Sequence, residues 1–225
     1  MTDGVSRATT VGEAAAGSCG DLVGQGWQVF GLYQEVILDV FLTVSTRPLG
    51  IPYYRDPQDS GSASYIDLKR EPHRIEEIPE AKAWPSLHRL LVQLDSPESK
   101  LMSLGCGVFI YPPQETGARW SAYSYVGYCL ADLAQATDAA IYFPQFFHFS
   151  RHYSGKTDTG AHVYFELREA QFIERNVGAF AVDYGVRSNG ESSARLKDIV
   201  AAHFDALADF LPLMGLTPQA VERPS

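Results

Sequence analysis

Three of the six histidines of this chain lie in two short segments, together with two arginines and a glutamate. The first segment, 141–153, reads IYFPQFFHFSRHY and is rich in aromatic residues; the second, 162–168, reads HVYFELR. Imidazole titrates near neutral pH and, like carboxylate, is a common metal ligand, so the two segments could support acid–base chemistry or metal binding. The candidate site residues are His148, Ser150, Arg151, His152, His162, Tyr164 and Glu166.

Alternation of apolar and polar residues predicts that both segments are strands of one hairpin. Phe147 and Phe149 form the apolar side of the first strand, and a glycine-bounded turn at 155–160 separates it from the second. Only registers that place the two apolar sides together are sensible, and the simplest one pivots on Thr157. Its cross-strand pairs are His152 with His162, Ser150 with Tyr164, and His148 with Glu166.

Two interpretations of this polar hairpin face remain open. His148, His152, His162 and Glu166 could bind zinc or non-haem iron, since imidazole and carboxylate suit both metals. The more common arrangement is a solvent-exposed polar side of an antiparallel hairpin, and we therefore predict no cofactor. A helix over 144–154 would instead bring His148 and His152 together at i, i+4 and detach them from the other two residues. The metal hypothesis thus depends on the strand prediction.

Two other candidates are interpreted as structural. Cys106 lies between two glycines and could be a nucleophile, but its alternation with Leu104 and Val108 predicts a core thiol. Gly105 and Gly107, on the other side of that strand, indicate close approach by another element. His203 falls on the apolar stripe of the last predicted helix and is expected to be a core histidine.

Composition and missing motifs exclude several classes of function. The chain has 45% hydrophobic residues and a formal net charge of −9, which indicates a large core and argues against a nucleic-acid binder. No dinucleotide, nucleotide-triphosphate or hydrolase motif is present. There is neither a signal-peptide pattern nor a long apolar run, so we expect no membrane partner and a cytoplasmic location.

The predicted elements point to an α+β fold: a mostly antiparallel sheet of about five to six strands with about three helices packed on it. We divide the chain into a flexible arm (1–26), one globular domain (27–217) and a frayed tail (218–225). The predicted strands are 32–46, 65–69, 101–111, 139–143, 162–168 and 172–184, besides the aromatic segment. The predicted helices are 79–94, 120–136 and a final helix capped by Ser192 or Ser193 and closed at Gly215; Asn189–Gly190 is a predicted turn.

The acidity, the aromatic segment and the absent catalytic motifs favour a non-enzymatic protein. We predict that it binds a protein partner, which could be basic, in the manner of an immunity protein or an inhibitor. The alternative is a small-molecule-binding protein or metal-assisted enzyme that uses the His/Glu cluster of the 146–168 hairpin. A subunit of a larger assembly is a third possibility.

Overall fold

One curled, mixed sheet forms the framework of the computed structural model, which describes residues 38–43, 48–53, 64–114, 119–153 and 161–218. Its strands are β1 (Leu38–Thr43), β2 (Leu49–Ile51), β3 (Leu101–Tyr111), β4 (Trp120–Leu130), β5 (Ala161–Phe172) and β6 (Val177–Gly190). They are ordered β1-β5-β6-β4-β3, and β2 also pairs with β5. The β3–β4, β4–β6 and β5–β6 pairs are antiparallel, whereas β1 and β2 run parallel to β5. The predicted α+β fold with a mostly antiparallel sheet is confirmed.

The described α-helices are α1 (Pro79–Ala83), α2 (Pro85–Leu94), α3 (Leu133–Ala136), α4 (Phe143–Tyr153) and α5 (Ser193–Phe210). The helix predicted over 79–94 is therefore interrupted at Trp84. Proline disfavours helical backbone in the residue before it, and Trp84 is extended, with φ −130° and ψ 95°. Pro85 then occupies the first turn of α2, where its missing N–H is not needed. Among the described residues, no helix has the length and apolar character needed to cross a membrane.

The final helix, α5, is predicted correctly because its apolar stripe spans five turns. Leu196, Val200, Phe204 and Leu207 on that stripe have no exposed surface. Ser192 caps the helix by accepting a hydrogen bond from the backbone N–H of Arg195 at 3.3 Å. A short 3₁₀ turn follows and ends at Gly215, whose φ of +65° is the left-handed conformation that glycine adopts most readily.

The aromatic segment is a helix, and its prediction as a strand is wrong. Phe146, Phe149 and Tyr153 recur at helical spacing, and all three are buried, whereas Phe147 is 55% exposed. The alternation of Phe147 and Phe149 with polar residues imitates a strand over only a few positions. The strand predicted over 139–143 is likewise a 3₁₀ turn, capped by Asp138 through the backbone N–H of Ala140.

The prediction of a helix over 120–136 is also wrong for most of that range. Residues 120–130 form β4, and only the short α3 follows, capped by Asp132. Val126 and Leu130 are four residues apart, which suits one helix face but also one strand face. Ala122, Ser124, Val126 and Tyr128 are all buried, which is the period of two that a strand requires.

Three smaller predictions need correction, and others fall partly outside the described residues. Residues 65–69 lie in coil and a turn, and no strand in the described part of the chain pairs with them. Phe172 ends β5, and a turn through Asn176 precedes β6. Asn189–Gly190 pairs with β4 at the end of β6 instead of turning. Residues 1–37, 44–47 and 219–225, and with them the arm and nearly all of the tail, lie outside the described residues.

The two faces of the sheet have different environments. On one face, which we call the helix face, the ring of Phe165 lies 5.0 Å from Phe146 and 5.2 Å from Phe149 of α4 (centroid distances). Because side chains alternate along β5, Tyr164, Glu166 and Arg168 point to the opposite face. We call this second side the polar face.

Candidate functional site

The sheet separates the histidines that were predicted to meet. His148, Arg151 and His152 lie on α4, over the helix face, and the His152 ring is 5.7 Å from that of Phe210. His162 and Glu166 are on the polar face of β5. The predicted hairpin register is wrong because α4 is not a strand, and Thr157 lies outside the described residues.

Ser150 is also on α4, and Tyr164 is on the polar face, so this predicted pair is separated as well. In the part of the chain that the structure describes, no group of three or more His, Cys, Asp or Glu side chains could hold a metal ion. The metal hypothesis therefore loses the geometry on which it depended.

Four strands contribute to the polar face, in three cross-strand rows. Directly paired residues point to the same side of a sheet, so the register determines which side chains are neighbours. The rows are Gly105, Gly127, Asp183 and Glu166; Gly107, Tyr125, Gly185 and Tyr164; and Phe109, Tyr123, Arg187 and His162.

Glycines in these rows allow large side chains to lie close to the backbone of the sheet. A Cβ atom at Gly185 would be 2.0 Å from Cζ of Tyr164, and one at Gly127 would be 2.6 Å from Oδ1 of Asp183. A Cβ atom at Gly105 would be 2.7 Å from the Tyr53 hydroxyl. The close approach predicted at Gly105 is thus confirmed, and the approaching group is Tyr53.

A cavity of about 770 Å³ lies over this face. Its other walls come from segments 49–53, 64–68 and 77–80, which contribute apolar side chains such as Ile66, Leu68 and Ile78. The polar groups that line it include Tyr53, Tyr125, Glu166, Arg168 and Asp183. Ligand sites typically combine an apolar wall with a few polar groups in this way.

A bulge in β3 anchors Tyr53 at the cavity. The β3–β4 register shifts between Ser103 and Gly105, and the Tyr53 hydroxyl donates a hydrogen bond to the backbone oxygen of Leu104 at 3.0 Å. Burial, together with the nearby Cys106 and Asp183, raises the pKa of Tyr53 to about 12. Burial also raises the pKa of Tyr125. Both phenols therefore remain protonated hydrogen-bond donors at neutral pH.

A buried ion pair lies at the base of the cavity. Nη2 of Arg168 is 2.8 Å from Oδ2 of Asp183, and the Asp183 side chain is only 11% exposed. Oδ1 of Asp183 and Nε of Arg168 are buried without a hydrogen-bond partner among the described residues. Burial raises the pKa of Asp183 to about 6; Arg168 opposes this shift and Glu166 adds to it. The pair thus presents one unused acceptor and one unused donor.

Cys106 is a half-buried thiol on the wall of this cavity. Burial, assisted by the charge of Glu80, raises the pKa of Cys106 to about 12. Because the thiolate is the reactive form, this cysteine is a poor nucleophile at neutral pH. The core position predicted for it is not realised, since Cys106 is only partly buried and packs against the core from outside.

His203 is a core histidine, as predicted. It has no exposed surface, and the Tyr153 hydroxyl contacts its ring nitrogens. Burial lowers the pKa of His203 to about 4, so the ring is neutral in the folded protein at physiological pH.

Comparison with protein-family models, with curated proteins and with solved structures finds no match for this chain. The site is therefore interpreted from its own residues.

Sequence reasoning found part of this site and missed its centre. It correctly placed His162, Tyr164 and Glu166 on one face of a strand. It did not identify Asp183, although a lone carboxylate in the apolar run 179–186 (AFAVDYGV) was the available signal. A charge in a strand that is otherwise apolar is rarely left buried without a partner. Tyr53 carried no such signal.

Proposed function

We propose that the protein binds a small organic molecule in the cavity over the polar face. Tyr53, Tyr125, Arg168 and Asp183 are the polar anchors, and Ile66 and Ile78 belong to the apolar wall. The observation that carries the proposal is the cavity of about 770 Å³ with the Arg168–Asp183 pair in its lining, a pair whose Oδ1 and Nε are buried without a hydrogen-bond partner among the described residues.

The energetic cost of this arrangement supports a role in binding. Each buried polar group without a partner costs about 1–3 kcal/mol, and two charges removed from water add a desolvation penalty. A ligand whose binding turns these two buried atoms toward the cavity would donate to Asp183, accept from Arg168 and offset much of this cost. The cavity volume of about 770 Å³ is within the range of small-molecule sites, roughly 300–1,000 Å³.

A fragment screen by ligand-observed NMR tests the binding function directly. We expect bound fragments to lose binding in Asp183→Asn, which keeps the shape of the side chain and removes its charge. The matched control is Asp209→Asn, which breaks an exposed ion pair with Arg89 on the opposite side of the sheet and should bind the same fragments as the wild type. Fragments that bind the two variants equally, or a screen without any binder, would contradict the proposal.

A protein partner is the second candidate function, and an exposed aromatic strip favours it. The rings of Tyr111, Phe109 and Tyr123 stack at centroid distances of 6.3 and 6.0 Å. The guanidinium of Arg187 lies 5.6 Å from the Tyr123 ring. Phe109 and Tyr111 are 41% and 49% exposed, and Tyr, Phe and Arg are enriched in interface cores. The net charge of −9 supports a partner other than nucleic acid.

Removing the strip should abolish partner binding without unfolding the protein. We expect Phe109→Ser with Tyr111→Ser to lose partners that the wild type retains in cross-linking from host lysate. Leu213→Ser is the control, since Leu213 is 63% exposed and lies after α5, away from the strip. Retention of the same partners by the double variant would eliminate this candidate.

The proposed compartment is the cytoplasm. Cys106 and Cys129, the described cysteines, are free thiols, which is the usual state in a reducing environment.

A further inference from the structure

We infer that the ligand of the cavity is a neutral, largely apolar molecule with a carbonyl group that accepts a hydrogen bond from the Tyr125 hydroxyl. This inference rests on the proposed small-molecule function and names the chemical class of the ligand. Three observations support it: the Tyr125 hydroxyl has no protein partner, its ring is held in place, and negative charge lies beside it.

The Tyr125 hydroxyl is open to the cavity. Tyr125 is a half-buried residue of the cavity lining, and its hydroxyl makes no hydrogen bond to any described residue. The buried side-chain polar atoms that lack a partner in the described part of the chain belong to Asp95, Ser124, Arg168, Asp183 and Ser188. The Tyr125 hydroxyl is not among these enclosed atoms, so a ligand in the cavity can reach it.

The other described tyrosine hydroxyls of the lining are already engaged. The Tyr53 hydroxyl donates to the backbone oxygen of Leu104 at 3.0 Å, and the Tyr123 hydroxyl lies 3.1 Å from that of Tyr164. A ligand that fills the cavity displaces water from Tyr125, and a donor that loses water without gaining an acceptor is costly. The ligand must therefore bring an acceptor, and a carbonyl oxygen is a neutral one with two lone pairs.

A glycine fixes the position of this donor. A Cβ atom at Gly107 would be 2.7 Å from Cε1 of Tyr125, so the ring lies directly against the backbone of β3. The Tyr123 ring packs beside it, with 5.9 Å between the centroids. A group that its surroundings already hold in place loses little freedom when a ligand binds. Tyr125 is thus a specificity-determining residue of the cavity.

The surroundings of the hydroxyl disfavour a charged ligand. Burial is the main reason why the pKa of Tyr125 is raised, and the charge of Asp183 adds to the shift. Burial also dominates the raised pKa values of Tyr53 and Cys106, and Glu80 adds to both. All of these groups line the cavity. A carboxylate there would meet the same low polarity and the same negative charges.

The cation of the described lining does not reverse this preference. Nη2 of Arg168 is already 2.8 Å from Oδ2 of Asp183. At Tyr53 the charge of Arg168 lowers the pKa, but its effect is smaller than the opposite effect of Asp183. An ammonium group is no better suited, because it has only donors and leaves the Tyr125 proton unpaired.

A ketone or an amide on a hydrocarbon body meets these conditions. Its carbonyl oxygen satisfies Tyr125 without bringing a net charge into the cavity. The apolar side chains of the same lining, such as Ile66, Leu68 and Ile78, suit the hydrocarbon part.

The experiment compares four ligands that carry a phenyl ring on the same length of carbon chain, by titration calorimetry at pH 7. Phenylbutanamide is neutral with a carbonyl group, phenylbutanoate is an anion, phenylbutylamine is a cation, and butylbenzene has no polar group; the corresponding naphthyl set follows. We expect the amide to bind at least about tenfold more tightly than the carboxylate and the amine. This ranking is measured on the wild-type protein and needs no variant.

Tyr125→Phe then tests the hydroxyl, because it removes the donor and keeps the ring. The amide should lose affinity by about fivefold to tenfold, whereas the affinity of butylbenzene should not change. Tyr65→Phe is the matched control, since Tyr65 is also half-buried but is not part of the described cavity lining. All four ligands should bind this control as they bind the wild type.

The outcomes separate the inference from the proposed function. A carboxylate or an amine that binds as tightly as the amide would overturn the inferred ligand class and leave the cavity function intact. Amide and butylbenzene affinities that change equally in Tyr125→Phe would overturn the role of the hydroxyl. If no member of either set binds, both the inference and the proposed function fail.

Discussion

Replacing Arg168 with methionine is expected to lower the free energy of unfolding by about 1–2 kcal/mol at pH 7, because a carboxyl group whose pKa is already about 6 avoids any larger cost by binding a proton. Methionine keeps much of the apolar stem of arginine, so the main loss is the charge that faces Asp183 at 2.8 Å. The carboxylate would then be buried without its cation, at a position that already raises its pKa to about 6. Urea denaturation followed by circular dichroism measures the change.

The pH dependence of this variant identifies the cause. Without Arg168, Asp183 can become neutral only by binding a proton, so the deficit should shrink as pH falls from 7 to 5. Adding Asp183→Leu removes both charges and should recover most of the lost stability, since a buried pair is often replaceable by apolar side chains.

Arg89→Met is the matched control for the Arg168 variant. Arg89 lies within 2.9 Å of Asp205 and 3.0 Å of Asp209, but its side chain is 42% exposed. Exposed ion pairs contribute about 0–1 kcal/mol, so this change should have a small effect. Equal losses in the two arginine variants would show that the Arg168–Asp183 pair is not energetically special.

His203 is expected to cost the wild-type protein about 3 kcal/mol of stability between pH 6.5 and pH 4, relative to a variant without it. Its pKa is lowered to about 4 by burial, whereas an unfolded histidine titrates near 6.5. The folded state therefore binds fewer protons over this range. Relative to the variant, the wild type has its full stability above pH 6.5 and loses stability as pH falls from 6.5 to 4.

Two buried carboxyl groups stabilise the protein as pH falls, which opposes the effect of His203. The pH dependence of wild-type stability alone therefore cannot isolate the histidine. Burial raises the pKa of Asp95 and Asp183 to about 6, which means that protonation favours the folded state as pH falls from 6 to 4. The difference between wild type and His203→Phe cancels these terms.

His203→Gln provides a second comparison, because it removes the titrating group but keeps a polar side chain. For each variant we subtract its free energy of unfolding from that of the wild type. This stability difference should change with pH in the same way for both variants, even if their stabilities at pH 7 differ through repacking near Tyr153. A stability difference between wild type and variant that stays constant from pH 7 to pH 4 would show that His203 binds its proton equally well in the folded and unfolded states.

The errors in predicting local structure have a common physical reason. Residues four positions apart lie on the same face of a helix and also on the same face of a strand, so Val126 and Leu130 suit either element. In the aromatic segment, Phe149 satisfies both periods, and the rings of Phe165, Tyr184 and Phe210 decide which one is realised. Each lies 5.2–5.5 Å from the Phe149 ring, so α4 buries Phe149 in a nest of aromatic side chains.

Long, regular segments were determined by the sequence itself. In α5 an apolar stripe over 18 residues, a serine cap and a glycine after the following turn agree with one another. In β3 and β5 the alternation is long enough to assign each side chain to a face. Local propensity and burial pattern point the same way in these elements, so little tertiary information is needed.

Only the tertiary structure decided the candidate site. The β5–β6 register places Glu166 opposite Asp183 and lets Arg168 reach the carboxylate diagonally, and no local pattern specifies that register. The bulge at Ser103–Gly105 and the glycine surface then admit Tyr53 from a distant segment. Local sequence determines which face a side chain occupies, because that depends on period alone. Which charges meet across strands depends on how the whole sheet closes.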